Sequence, residues 1–144
     1  MSCSIEDFLS RYFAMSLAEA EWVASVEPVP EEKRWLVRLV GEEKDRITIW
    51  FTLRDRHLFH ETGFMPHPVE NAIAVYEYLL RLNHKQVGAY FSLGQDSGVF
   101  LVGAIAREDI NEAVVDRVIG TVYETVENHF RVAMRLGFPA VFRK

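Results

Sequence analysis

The chain has 144 residues, of which 49% are apolar and 26% are charged, and its net charge is −5. This mix is typical of one globular domain, so we expect residues 1–144 to form a single domain. It excludes a disordered chain, a collagen-like chain and a cysteine-rich scaffold, and the negative charge argues against a general nucleic-acid binder.

Cysteine content and hydropathy bear on location. Cys3 is the single cysteine, so the chain can neither close an internal disulfide nor supply a cysteine-rich zinc site. No apolar run approaches the roughly 18 residues of a membrane span, and residues 1–7 lack the basic start of a signal peptide. We therefore expect a cytoplasmic protein with no membrane partner.

The first half of the chain predicts one helix and three strands. Apolar residues recur at helical spacing over about residues 5–21, where Ser4 and Asp7 resemble a capping box. Pro28 and Pro30 then end any helix, and we interpret their segment as a link. Alternating apolar and polar residues predict strands at 34–39, 47–53 and 57–64.

The second half predicts the order helix, two strands, helix. A helix is expected over about residues 68–83, because Pro68 suits a first helical turn. Strands follow at 87–93 and 99–106, and a long helix runs from residue 108 or 109 to about 136, where Gly137 provides the stop. The order αβββαββα predicts an α/β (α+β) fold, a two-layer sandwich with a five-stranded sheet.

Both faces of the predicted sheet carry apolar residues. One face has Ile47, Ile49, Phe51 and Leu53, and the opposite face has Trp50, Tyr90, Phe100 and Val102. The middle helix also has two apolar sides, formed by Ala72, Ile73, Tyr76 and Leu80 and by Val75, Tyr78 and Leu82. We expect the first side to pack on the sheet, and the middle helix or a second subunit to cover the Trp50 face.

These surfaces predict an interface. The candidate interface residues are Trp50, Tyr78, Leu82, Tyr90 and Phe100. An exposed apolar patch larger than roughly a few hundred Å² usually marks an interface, so we expect a two-fold symmetric homodimer of low micromolar affinity or better. An extended or helical peptide of a client protein also suits such a surface.

The five histidines raise a metal hypothesis, but their spacing does not support it. His57 and His60 are three apart on a predicted strand and so point to opposite faces. A small metal-dependent enzyme around His60, Glu61 and His84 remains an alternative. The chain has neither a Gly-rich phosphate loop nor a nucleophile elbow, so we expect no catalytic, cofactor-binding or metal-binding residue and no cofactor.

A basic segment supports a second alternative. Residues 33–56 hold seven basic and four acidic residues. Four aromatic residues with arginine neighbours could form a stacking platform for single-stranded nucleic acid: Trp35, Trp50, Tyr90 and Phe100, beside Arg34, Arg38, Arg54 and Arg56. The RNA-binding motif of the ferredoxin-like module is missing, so packing in the core or an interface is the favoured role of these rings.

Eight short segments carry a family resemblance. They are WLVRL (35–39), EEKD (42–45), IWFTLR (49–54), HET (60–62), FMP (64–66), YEYLLRLNHK (76–85), FSLG (91–94) and FR (130–131). In these segments, over about residues 34–142, the chain resembles the actinobacterial members of the YbjN-domain family, the bacterial sensory transduction regulators.

The resemblance implies a fold more than a site. It implies the arrangement of type III secretion chaperones, a compact α/β sandwich with an antiparallel sheet that is usually dimeric, and it brings no catalytic residues. Our leading hypothesis is a non-enzymatic, homodimeric binding module. It would act through protein–protein contacts as a sensory transduction regulator or a secretion-chaperone-like adaptor.

Overall fold

The fold is one six-stranded antiparallel sheet with three helices on one face, as described by a computed structural model over residues 4–141. The helices are α1 (Ile5–Glu19), α2 (Ala72–Asn83) and α3 (Glu112–Gly137). The strands are β1 (Val23–Val29), β2 (Arg34–Val40), β3 (Arg46–Leu53), β4 (His57–Met65), β5 (Tyr90–Leu93) and β6 (Val99–Ala106). Cys3 and Phe142, which figure in the expectations above, lie outside the described residues.

Strand β1 is the main departure from the predicted order. The segment interpreted as a proline-containing link pairs with β2, and Pro28 lies opposite Trp35. The sheet order is β1-β2-β3-β4-β6-β5, so β1 is an edge strand. A proline is tolerated there because only one side of an edge strand must supply ladder hydrogen bonds. The prediction of five strands was therefore wrong by one.

The core lies between the sheet and the helices. Ile47, Ile49 and Phe51 of β3 are fully buried, as their alternation predicted. Phe13 of α1 packs against the ring of Phe51 with centroids 4.9 Å apart, and against Trp35. Burying a large side chain in this layer contributes about 1.5–3 kcal/mol, so this layer is the main source of stability.

The helix ends follow local hydrogen bonding. The Ser4 hydroxyl accepts a hydrogen bond from the Asp7 N–H at 3.0 Å, which confirms the predicted start of α1. Helix α3 begins later than predicted, because Asn111 is the N-cap and accepts from the Val114 N–H at 2.9 Å. Residues 107–109 instead form a short 3-10 turn.

Helix α2 begins at Ala72, later than Pro68, and it packs with the side opposite to that expected. Its buried residues are Val75 and Leu79, whereas Ile73 is 78% exposed and Leu80 is 65% exposed. The expectation that the Ile73 and Leu80 side packs on the sheet was wrong. The reason is that α2 lies against α3 and β5 at one end of the sheet rather than across it.

One hydrogen-bonded clamp joins distant parts of the chain. The carboxylate of Glu127 on α3 accepts hydrogen bonds from the backbone N–H groups of Glu42, Glu43 and Lys44, at 2.6, 3.1 and 3.1 Å. These N–H groups belong to the loop between β2 and β3. The clamp therefore fixes the β2–β3 hairpin against α3.

Within residues 4–141, all three helices pack on one face of the sheet, and the second face has no helix over it. Separately, none of these three helices combines the length and the hydropathy that a membrane span requires. Trp50 lies on that second face, away from Ile49 and Phe51, as its alternation predicted. Of the two expected covers for Trp50, the middle helix was wrong, and a second subunit stays a prediction. The sheet therefore presents an uncovered surface, which we call the open sheet face.

Candidate functional site

Strand register places one row of residues across the open sheet face. Starting from Glu27 on β1, the row runs through Leu36, Trp50, Glu61, Val102 and Tyr90, each opposite the next on the neighbouring strand. Directly opposed side chains on one face of an antiparallel sheet contact each other. The row therefore makes Trp50, Val102 and Tyr90 parts of one surface, although they come from three segments of the chain.

Two further aromatic rings flank this row. Phe59 lies opposite Ala104 on one side, and Phe100 lies opposite Gly63 on the other. In each pair a large ring faces a small residue, which leaves space beside the ring. A groove of about 670 Å³ lies among Trp50, Phe59, Tyr90 and the β6 backbone. Its size is within the range of about 300–1,000 Å³ that is typical of ligand pockets.

Arg34 is held over the face of Trp50. Its guanidinium carbon lies 4.0 Å from the ring centroid. Its Nε donates to the Thr52 hydroxyl at 3.1 Å, and Nη1 lies 3.5 Å from a carboxylate oxygen of Glu32. A cation over an indole is an attractive arrangement, and here it fixes the orientation of both side chains at the groove wall.

A second arginine stands at the same groove. Nη1 of Arg54 donates to the backbone carbonyls of Glu32 and Leu53, at 3.2 and 3.1 Å. Within residues 4–141, no carboxylate pairs with Arg54 or with Arg46, which begins β3 on the same face. Arg38 does have a partner, because it forms an ion pair with Glu27.

The structure brings together three of the five candidate interface residues. Trp50, Tyr90 and Phe100 share the open sheet face, and the first two line the groove. Tyr78 and Leu82 lie on α2, on the other side of the sheet, where both are half-buried against the core. Tyr78 also forms a hydrogen bond with Nδ1 of His129 at 2.7 Å. The interface role of the five residues stays a prediction.

Phe59 belongs to the groove but was missed from the sequence. Its side chain is 45% exposed, so it is one of the large apolar side chains that the open face presents to solvent. The signal was present, because Phe59 alternates with Leu58 and His60 and shares the phase of Glu61.

A second surface lies beside β5. We call it the α2–β5 patch, and it consists of Ile73, Tyr76, Leu80, Phe91 and Leu93. An apolar groove of about 390 Å³ runs along it. Asn83 seals the strand edge here: its amide accepts from the Phe91 N–H at 2.8 Å and donates to the Phe91 carbonyl at 3.1 Å. The patch therefore presents side chains, since this part of the β5 backbone is already bonded.

The structure does not bring His60, Glu61 and His84 together. His60 is buried on the helix side of β4, Glu61 is exposed on the open face, and His84 is exposed at the end of α2. Nε2 of His60 lies 3.2 Å from the Gly88 carbonyl, and burial lowers the pKa of this imidazole to about 4. Among residues 4–141, no cluster of His, Cys, Asp or Glu is placed to hold a metal ion.

The four-ring stacking platform is not formed. Trp35 is buried in the core, and its indole N–H donates to the Ser10 hydroxyl at 3.2 Å. It therefore faces away from Trp50, Tyr90 and Phe100. Trp35 pairs with Phe51, and Trp50 pairs with Leu36, so the two tryptophans lie on opposite faces of the sheet. The alternation within each strand does not reveal this, because it does not give the register between the strands.

Comparison with known proteins gives a fold and distant relatives. No family model matches the chain. Uncharacterized proteins of Mycobacterium tuberculosis and Mycobacterium bovis are 29% identical over 125 residues, which is 87% of this chain and 68% of theirs. One from Mycobacterium leprae is 28% identical over 111 residues, covering 77% of this chain and 60% of its own. Membership of the YbjN-domain family therefore stays a prediction.

A solved structure shares the architecture. One chain of the crystal structure of the ExsC–ExsE complex superposes with a TM-score of 0.67, covering 91% of this chain and 97% of that one. The sequence identity is 15%, so the likeness extends to the fold alone. It confirms the α+β sandwich with an antiparallel sheet.

Proposed function

We propose that this chain is a non-enzymatic adaptor that holds a segment of another protein on the open sheet face. The observation that carries the proposal is the packing of α1, α2 and α3 on one side of the sheet, which leaves Trp50, Phe59, Tyr90 and Val102 uncovered on the other. A contiguous apolar surface of this kind usually marks an interaction site.

The fold comparison supports the same role. The ExsC–ExsE structure is a complex of two proteins, and its chain shares this architecture. The finer parts of the proposal rest on the sequence: a regulator of sensory transduction or a secretion-chaperone-like adaptor, acting in the cytoplasm. Both settings require the same physical activity, which is reversible binding of a client segment.

We also propose that two copies associate through the α2–β5 patch. Ile73 and Leu80 lie two turns apart on the same face of α2 and are among the most exposed large apolar residues of the described chain. The sealed edge of β5 favours side-chain packing over strand addition. A two-fold arrangement lets the patch meet itself and leaves both open sheet faces available to clients.

Site-specific photocrosslinking tests the client-binding proposal. The photoreactive residue p-benzoylphenylalanine replaces Phe59 on the open face or, as a matched control, Val132 on α3; the two positions are 45% and 43% exposed. We expect a discrete crosslinked client from position 59 and none from position 132. The client is then identified, purified and titrated against the wild-type chain and Trp50→Ala.

The titration decides the outcome. Support requires that the purified client binds the wild-type chain and loses affinity for Trp50→Ala by about tenfold or more, the scale of an aromatic contact in an interface. Equal crosslinking at positions 59 and 132, or equal affinity of the two chains for the client, would contradict the proposal.

A further inference from the structure

We infer, on the basis of the proposed function, that the segment held on the open sheet face is acidic: a carboxylate of the partner pairs with Arg54, and an adjacent apolar side chain enters the groove beside Trp50. The inference names the chemistry of the client, and it rests on how Arg54, Arg34 and Glu61 are arranged around that groove.

Arg54 is held in place but lacks a counter-ion. Its Nη1 group donates to two backbone carbonyls, those of Glu32 and Leu53. Its own carbonyl accepts a hydrogen bond from Arg107 at 3.0 Å, which anchors the residue further. A guanidinium has five N–H donors, so donors remain after these bonds. A carboxylate is the acceptor that best matches a fixed guanidinium, and within residues 4–141 none is in ion-pair range.

Arg34 has a different role at the same groove. Glu32 already lies within ion-pair range of it, and Trp50 lies under its guanidinium at 4.0 Å. Arg34 therefore stiffens the wall of the groove, whereas Arg54 offers an unmatched positive charge. The pre-ordered pair lowers the entropic cost of binding, because neither side chain must be immobilised by the ligand.

The floor of the groove accepts an apolar side chain. Ala104 lies opposite Phe59, and Val102 lies opposite Tyr90, so small residues alternate with large rings. The lining is mainly apolar, and the volume is about 670 Å³. That space suits one aromatic or large aliphatic side chain together with the backbone of a short extended segment.

The exposed carboxylate of Glu61 indicates that the ligand of the open sheet face is a peptide rather than a nucleic acid. It is exposed in the central row, between Trp50 and Val102, and residues 4–141 supply it with no ion-pair partner. A strand of nucleic acid would bring regularly spaced phosphates near this carboxylate, on a protein whose net charge is already −5. A peptide can place one carboxylate at Arg54 and a neutral residue or an N–H donor at Glu61.

Matched peptides test the inference on the full chain. Three fluorescent octapeptides share a central Trp-Val pair and differ only in flanking residues, which are Glu, Gln or Lys. Fluorescence polarisation should show that the Glu peptide binds about tenfold more tightly than the Gln peptide, with the Lys peptide weakest. Arg54→Gln should abolish this preference, whereas the matched control Arg135→Gln, an exposed arginine on α3, should preserve it.

Two further variants sharpen the result. Glu61→Gln should strengthen binding of the Glu peptide, because a repulsive charge is removed. Trp50→Ala should weaken the Glu and Gln peptides equally, because it removes the apolar contact that they share. Equal affinity of the Glu and Gln peptides would overturn the inference, and so would tighter binding of a ten-nucleotide oligothymidylate than of the Glu peptide.

The inference and the proposed function fail in different ways. A client that crosslinks at position 59 and depends on Trp50, but binds equally well after Arg54→Gln, overturns the acidic preference and leaves the adaptor role intact. A client that shows no dependence on Trp50 overturns both. Added salt gives an independent check, because raising it from about 0.05 to 0.5 M should reduce the Glu-over-Gln preference.

Discussion

Trp50 and Phe51 are neighbours in the chain but serve opposite faces of the sheet. Phe51 is fully buried beneath Phe13, whereas Trp50 is partly exposed under Arg34. We expect Phe51→Ala to lower the free energy of unfolding by about 3–5 kcal/mol, because it leaves a cavity in the core. Trp50→Ala should cost less and act on client binding instead. Denaturant titration of both variants measures the difference, and equal losses would contradict the assignment of the two faces.

His60 makes the stability of the fold depend on pH. It is buried with no hydrogen-bond partner at Nδ1 among residues 4–141, and burial lowers its pKa to about 4, from an ordinary value of about 6.5. As pH falls below about 6.5, the unfolded chain gains a proton that the folded chain does not, so stability declines until about pH 4. Between pH 7.5 and pH 5 we expect a loss of about 2 kcal/mol from this residue.

Variants at two histidines isolate that effect. His60→Leu should flatten the decline in the free energy of unfolding between pH 7.5 and pH 5, because it removes the buried titrating group. The exposed His84 is the matched control, and His84→Leu should keep the wild-type profile. Chemical denaturation at a series of pH values gives both curves. Identical curves for wild type and His60→Leu would refute the prediction.

Among the elements, β5 depends on one amide side chain at its edge. The Asn83 amide both accepts from and donates to the backbone of Phe91. Asn83→Asp keeps the acceptor but places a carboxylate oxygen against the Phe91 carbonyl. We expect a loss of about 1–3 kcal/mol in the free energy of unfolding and faster amide exchange in β5. Asn128→Asp, on the exposed side of α3, is the control and should change neither quantity; the same loss in both variants would point to a general effect of charge.

The elements also show what could be predicted from sequence. The alternation of β3 placed Trp50 opposite Phe51 correctly, because a period of two leaves only one possible assignment of faces. Strand β1 was missed because Pro28 signals an interruption unless the strand is known to be an edge. Helix α2 was turned the wrong way because both of its sides are apolar, and only its packing against α3 and β5 decides between them. The groove required the register of five strands, which no single segment encodes.

For the whole molecule, we predict that two copies associate into a dimer, whose mass is about twice the 16.6 kDa of one chain. It follows from the proposed pairing through the α2–β5 patch. Leu80→Glu should place an unpaired charge in the buried interface and yield a monomer at tens of micromolar, as measured by light scattering. Ala74→Glu, an exposed position on another side of α2, is the matched control and should remain dimeric. A wild-type monomer, or a dimeric Leu80→Glu variant, would show that the patch serves another purpose.

The clamp formed by Glu127 has a consequence for biosynthesis. The loop that it binds lies 84 residues earlier than Glu127. At about 5–20 residues per second, a ribosome needs about 4–17 seconds to make the chain between them. In that interval the loop of residues 42–44 lacks its carboxylate partner, and α1, which is made first, is the helix available to cover the β2–β3 hairpin through Phe13. A nascent chain that ends before α3 therefore leaves the Phe64 ring on β4 without its Phe130 contact, and a holdase would bind this apolar part of the sheet.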